Sequence, residues 1–336
     1  MFKHTINSLP GISALIMAGF LLTTQTTHAQ TVVKLDGSST VFPVSEAVAE
    51  EFQASTQGKI RVQVGSSGSG GGFKKFARGE TDIANASRPI LTEEIAACKA
   101  AGIEFIEIPV CFDALTVAVH PSNNWATNMT VAELKKLWEP AAQGVVMKWS
   151  QIRDGWPDQP IKLFGAGTDS GTFDYFTEAV VGKAKSSRSD FTASEDDNTL
   201  VQGIEGDKNS LGYIPYAYFE PHAAKMKAVG IDDGKGGGPV LPSKESVIAG
   251  KYNPLARPLF IYVSAKSAEK PEVQQFVKFY LENVRELASE VKYTPLPDAA
   301  YVEALKRFES RKTGTIFGGI PEVGLTAEEL LKRELK

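Results

Sequence analysis

The chain has 336 residues, of which 42% are hydrophobic and 23% charged, with a formal net charge of −4. That length suits two domains, and the composition is that of an ordinary globular protein. A mildly acidic balance with no basic run excludes nucleic acid or an anionic membrane surface as the main partner, so any affinity for anions must be local.

The first 29 residues read as a secretory leader. Lys3 supplies the positive start, residues 11–22 an apolar run, and Thr27-His28-Ala29 small residues for cleavage near Ala29. The run is shorter than the roughly 20 residues of a bilayer span. No cysteine stands at the new N-terminus to carry a lipid, so the mature chain is expected to be soluble and exported. Beyond it, short β-rich runs alternate with helix-like segments, the pattern of an α/β fold with largely parallel sheets. Residues 32–35 lead to a helix near Pro43, and residues 60–64 lead through a glycine-rich loop to a helix carrying Phe73 and Phe76. Residues 82–86 lead to a helix that Thr92 is placed to cap, with Glu94 nearby. Residues 105–110 and 114–119 read as two successive strands, a break in the alternation and a candidate crossing between domains. The alternation restarts with residues 161–164 and a helix over residues 173–181, followed by a strand at residues 211–215 and a glycine-rich loop at residues 234–239. A strong strand at residues 258–263 makes a return crossing, and helices over residues 271–290 and 298–311 close the fold. Two crossings imply two lobes with a cleft between them: residues 30–114 and 259–336 in lobe 1, residues 115–258 in lobe 2. The two cysteines, Cys98 and Cys111, suit either a disulfide between a helix and the next strand or two buried thiols. Their spacing fits no zinc motif, and no cluster of His, Cys and acidic residues suggests a metal.

Three stretches look built to hold an anion: Gly37-Ser38-Ser39-Thr40, residues 65–72 (Gly65-Ser66-Ser67-Gly68-Ser69-Gly70-Gly71-Gly72), and Thr168-Asp169-Ser170-Gly171-Thr172. Each follows a strand-like run and precedes a helix-like one. A helix start leaves backbone N–H groups unpaired at the positive end of the helix dipole, and Ser and Thr add hydroxyl donors. Taken singly, Ser39, Thr40, Ser170 and Thr172 also suit plain helix caps, Arg88 a surface ion pair, and Asp113 or Asp169 a turn. Three stretches together point to one convergent site beyond the carboxyl ends of the strands. An enzyme would need a nucleophile and a base, yet His120 and His222 lie beside none of these turns, and no Gly-x-Ser-x-Gly elbow occurs. The glycine-rich loop lacks the Gly-Lys-Ser/Thr ending of a P-loop, and no Gly-x-Gly-x-x-Gly is complete, which argues against nucleotides.

In order and spacing, Ser39-Thr40-Val41-Phe42-Pro43, Gly68-Ser69-Gly70, Asn85-Ala86-Ser87-Arg88-Pro89 and the run from Phe164 through Ser170-Gly171-Thr172 to Phe173 resemble the periplasmic phosphate-binding proteins of Pst-type ABC importers. The resemblance covers residues 32–311. It implies a two-lobe type II periplasmic binding protein, a monomer without cofactor, that closes on inorganic phosphate and passes it to a membrane permease without making or breaking a bond. The implied ligands are Ser39, Thr40 and the amide of Val41 from one helix start, Ser69 from the glycine-rich loop, and Ser170, Gly171 and Thr172 from the other lobe. Where the best-known branch has an arginine before the Ser-Gly-Thr turn, this chain has Ala166. Where that branch has an aspartate, it has Arg88, which is therefore expected to supply the cation. The acid that accepts the phosphate proton is then Asp169 or, second, Asp113. Another oxyanion such as sulfate or molybdate, or an exported phosphomonoesterase, are the competing readings.

Overall fold

The computed structural model describes residues 31–320 and 322–334, and the expected leader with its cleavage site lies outside them. The first third alternates strand and helix: β1 (Thr31–Gly37), α1 (Phe42–Ser55), β2 (Ile60–Val64), α2 (Ser69–Ala77), β3 (Ile83–Ala86) and α3 (Thr92–Ala100). β1 runs parallel to both β2 and β3. Helix α1 buries Val44, Val48 and Phe52, spaced four apart on one face, and Pro43 sits in its first turn, where a missing N–H is harmless. The start of α3 differs from expectation. Leu91 is the N-cap residue, its N–H donating to the Glu94 carboxylate at 2.9 Å, while the Thr92 hydroxyl donates to the Gly319 carbonyl at 3.1 Å.

Next come β4 (Phe105–Val119), β5 (Asn128–Thr130), α4 (Val131–Trp138), β6 (Lys162–Ala166), α5 (Gly171–Val181), β7 (Thr192–Ser194), α6 (Asp197–Gly206), β8 (Ser210–Pro215) and α7 (Tyr216–Phe219). The chain ends through β9 (Lys227–Ala228), β10 (Gly230–Asp232), α8 (Lys244–Ile248), β11 (Ala256–Ser264), α9 (Pro271–Glu290), β12 (Thr294–Pro295), α10 (Asp298–Glu309) and α11 (Ala327–Glu334). The main sheet runs β2-β1-β3-β11-β4-β8-β6-β7. It is less parallel than the alternation predicts. β11 lies antiparallel to β3 and β4, and β4 antiparallel to β8, because the two crossing strands run in opposite directions.

β4 is the main correction. The two strands expected at residues 105–110 and 114–119 are one strand of 15 residues, all buried. It pairs with β11 up to Ala114 and with β8 from Leu115 onward. Pro109 lacks an N–H for the ladder, and the register with β11 shifts between Leu259, opposite Cys111, and Phe260, opposite Pro109. Val110 is the extra residue of this bulge, and its carbonyl accepts from the Tyr301 hydroxyl at 2.9 Å instead.

Cys98 and Cys111 are free and buried, so the disulfide alternative falls away. Burial pushes the Cys98 thiol up to about 11, and both cysteines act as small core residues. Aromatic rings pack on both sides of the crossing. Phe73 and Phe105 meet Tyr262 edge-on at 5.0 and 5.7 Å, and Trp138 meets Phe176, Phe191 and Tyr213 edge-on at 5.4, 5.3 and 5.0 Å. Such pairs fix ring orientation as well as burying area.

Candidate functional site

Helices α1, α2 and α5 each start just past the carboxyl end of a strand, and their starts converge. Close approach explains the glycines of the second turn. Gly68 has φ +79°, and a Cβ there would lie 2.4 Å from the Asp169 carbonyl. A Cβ on Gly72 would lie 2.4 Å from the Gly37 Cα. Only bare backbone lets α2 touch both β1 and the turn before α5, to which the Gly70 N–H donates at 2.9 Å on the Asp169 carbonyl.

The hydroxyls divide into caps and free donors. Ser170 caps α5, its oxygen accepting from the Thr172 N–H at 3.1 Å. At α1 the Val41 N–H donates to the Ser38 hydroxyl at 3.3 Å, and Thr40 is not used as a cap. Thr40 and Thr172 instead meet hydroxyl to hydroxyl at 3.0 Å, and both are wholly buried. Ser69 meets the Ser87 hydroxyl at 3.2 Å and accepts from the Ser87 N–H at 3.1 Å. Gly171 packs against this pair so closely that a Cβ would lie 2.3 Å from the Ser69 oxygen and 2.6 Å from that of Ser87.

The cation at this point is Arg257, which the motifs do not contain. Its guanidinium is wholly buried and donates through Nη2 to Thr172 at 2.9 Å and to Thr40 at 3.2 Å. Nε and Nη2 also donate to Oδ2 of Asp113 at 3.1 and 2.9 Å, and Nη1 approaches the Gly171 carbonyl at 3.5 Å. Arg257 on β11 lies directly opposite Asp113 on β4. Burial raises the Asp113 carboxyl above its ordinary value, and the adjacent guanidinium opposes that rise. A signal for both residues does exist in the sequence. Arg257 is the one charge on β11 and Asp113 is one of two acids on the buried strand β4, and charges on buried strands need a partner across the ladder.

Arg88 is placed otherwise than expected. Nε donates to Asp174 at 2.7 Å, Nη1 and Nη2 to the two oxygens of Glu94 at 2.8 Å each, and Nη1 also to the Pro89 carbonyl at 3.2 Å. Its fork of donors is thus engaged by two carboxylates, tying α5 to the start of α3. Asp169 is also turned away: its half-exposed carboxylate pairs with Lys74 at 2.6 Å. Ser39 is buried beside the cluster, its carbonyl accepting from the Tyr218 hydroxyl at 3.2 Å.

What the arrangement supplies is a set of hydroxyl donors from several elements around one fixed guanidinium, beside three helix starts. The histidines are engaged elsewhere, His120 with Ser122 and His222 with Glu205. Among the described residues, no group of three or more His, Cys, Asp or Glu side chains is placed to hold a metal ion. Buried hydroxyls gathered around a guanidinium are suited to holding an oxyanion.

Comparison with known proteins agrees. A family model described as a PBP superfamily domain matches residues 24–284. The chain is 47% identical to protein SphX of Synechocystis sp. across 96% of this chain and 95% of that one. It is 36% identical to the phosphate-binding protein PstS of Staphylococcus haemolyticus across 81% and 84% of the two chains. Among solved structures, a possible phosphate binding protein from Planctomyces limnophilus is 50% identical, with a TM-score of 0.63 over 84% of this chain and 99% of that one. A putative phosphate ABC transporter substrate-binding protein from Clostridium perfringens, solved with bound phosphate, is 25% identical, with a TM-score of 0.67 over 80% and 100%.

Proposed function

Because this chain belongs to the PBP superfamily and, within it, to the PstS family of phosphate-binding proteins, we propose that it captures inorganic phosphate at the Thr40–Thr172–Arg257 cluster and hands it to the permease of an ABC importer. Thr40 and the Val41 amide act from α1, Ser69 with Ser87 from α2 and the end of β3, and Ser170, Gly171 and Thr172 from α5. Arg257 supplies the charge in place of Arg88. The convergence of Arg257 with hydroxyls from two distant helix starts is the observation that carries this reading. Charge-assisted hydrogen bonds of this kind are the strong ones, and a buried site makes them stronger. The protein works as a monomer, by lobe closure, in the periplasm after loss of its leader. No helix among the described residues is long and apolar enough to cross a membrane.

Calorimetric titration of the phosphate-stripped protein tests this. Saturable binding of one phosphate, tighter than sulfate or molybdate, is expected, with a smaller radius of gyration in the complex by small-angle scattering. Tighter binding of sulfate or molybdate would overturn the assignment, and turnover of a chromogenic phosphate ester would make the protein an esterase.

A further inference from the structure

After α10 the chain continues as a strap, residues 312–320 and 322–326, that leads into α11. The strap lies beyond residues 24–284, the part matched by the family model, so family membership assigns it no role. It is firmly anchored on β4, where the Gly314 N–H donates to the Phe105 carbonyl at 2.8 Å and the Ile316 N–H to Glu107 at 2.9 Å. Phe317 meets Phe260 edge-on at 5.5 Å, and the Gly319 carbonyl accepts from the Thr92 N–H at 3.0 Å. From these anchors the strap reaches α5, where the Gly324 N–H donates to the Tyr175 hydroxyl at 3.0 Å. Gly324 has φ +71°, and a Cβ there would lie 3.2 Å from Oδ1 of Asn253.

Tyr175 in turn touches Arg257 at both ends. Its hydroxyl donates to the Ala256 carbonyl at 2.6 Å, with the Pro254 carbonyl also in reach at 2.9 Å. The Ala256 carbonyl belongs to the peptide bond that leads into Arg257. The Tyr175 ring lies against the guanidinium, its centre 5.6 Å from Cζ. Tyr175 is buried, and burial holds its hydroxyl above the ordinary tyrosine value, so it keeps its proton and remains a donor. Thr172 and Tyr175 are three residues apart on α5 and share a face, so one helix face meets Arg257 through both a hydroxyl and a ring. Asp113 cannot orient the guanidinium by itself. Both of its bonds run to Oδ2, which fixes a distance and leaves the plane free to tilt about that oxygen. A ring against the guanidinium removes that freedom. The planar fork recognises an oxyanion by direction as well as by charge, so a tilt costs affinity.

We propose that Tyr175 is a positioning residue for Arg257, and that the strap holds Tyr175 in place through the Gly324 N–H. This rests on the phosphate reading above. The strap thereby acts on the anion site without touching the anion.

A double-mutant cycle tests this, read by calorimetry with phosphate on the phosphate-stripped protein. Tyr175→Phe keeps the ring and removes the hydroxyl. Alone it should weaken phosphate binding about 3- to 10-fold. In the Arg257→Lys background it should cost less than about twofold, because the ammonium has no plane to orient. Gly324→Ala, strained at its φ and pressed on Asn253, should reproduce the loss seen in Tyr175→Phe and add less than about twofold to it. If Tyr175→Phe does not fold, Gly324→Ala takes its place in the cycle. A residue that only stabilises the fold would lower the melting point and change affinity by the same factor in both backgrounds. That result, or parental affinity in Gly324→Ala, overturns the proposal while leaving phosphate capture intact. A parent that binds no phosphate overturns both.

Discussion

Removing Arg257 should separate its two roles. Arg257→Lys keeps a charge but loses the fork that reaches Asp113, Thr172 and Thr40 at once. The loss of one charge-assisted hydrogen bond to the ligand, about 1.5–3 kcal/mol, corresponds to phosphate binding roughly 10- to 100-fold weaker. Arg257→Met goes further, because it strands Asp113, itself fully buried, without a counter-ion. Breaking one side of a buried pair costs about 3–5 kcal/mol, a fall in melting temperature of roughly 5–15 °C for a chain of this size. The sign of its pH dependence follows. Burial already raises the Asp113 carboxyl, and deleting the guanidinium raises it further. The folded variant then binds a proton more tightly than the unfolded chain, so its deficit is greatest at high pH and shrinks as pH falls. Adding Asp113→Asn to Arg257→Met should restore much of the stability and none of the binding. The assays are calorimetry with phosphate and thermal melts from pH 5 to 8. The reasoning is refuted if Arg257→Met binds phosphate like the parent, or if the double variant melts no higher than the single one.

Thr172→Ala should weaken phosphate binding about 10- to 100-fold with a nearly parental melting point, whereas Ser170→Ala should also cost about 1 kcal/mol of stability, because Ser170 is the cap of α5. Calorimetry and melts distinguish them, and equal effects on both measures would mean the roles are misassigned. Arg88→Ala leaves Glu94 and Asp174 facing each other across a lost cation. It should lower the melting point at pH 7.5 and less so at pH 5, since burial raises the Asp174 carboxyl. A melting point unchanged at both pH values would make that pairing inconsequential. Asp169→Asn should leave the phosphate-to-sulfate ratio within about twofold of the parent, because its carboxylate is solvent-screened beside Lys74. A larger change in competition binding would return Asp169 to the site.

Local chemistry explains what the sequence made visible. The turns at Ser39-Thr40, Ser69 and Ser170-Gly171-Thr172 are each encoded within a few residues, so their position at the strand ends is readable from alternation alone. The long helices are readable too, α9 falling on residues 271–290 as expected. The leader lies outside the described residues. The unity of β4 was hidden by Asp113, a charge between the two expected strands that looks like a break until its partner is known, while Glu107 was already read as part of a strand. Glu107 accepts from the Tyr262 hydroxyl at 2.8 Å and the Ile316 N–H at 2.9 Å, and Asp113 has Arg257. Arg257 joins the site across 217 residues from Thr40, and only the register of two antiparallel strands brings it there. Arg88 looked like a free cation beside a hydroxyl motif, and the sequence did not reveal that Glu94, six residues on, and Asp174, on another helix, come to meet it.

On the phosphate reading proposed above, the guanidinium that meets the anion would stand on neither jaw of a two-lobe clamp but on its axle. β4 and β11 are the strands through which the chain passes between the two halves of the sheet, and Arg257 and Asp113 face each other across them. Any rotation of the halves about these strands leaves that charge where it is. An anion entering an open cleft would therefore meet its counter-charge at once, on the floor. Closing would add mainly neutral hydroxyls, whose short reach makes them judges of shape rather than of charge. Attraction and discrimination would then be successive events, the first responsive to salt and the second largely indifferent to it.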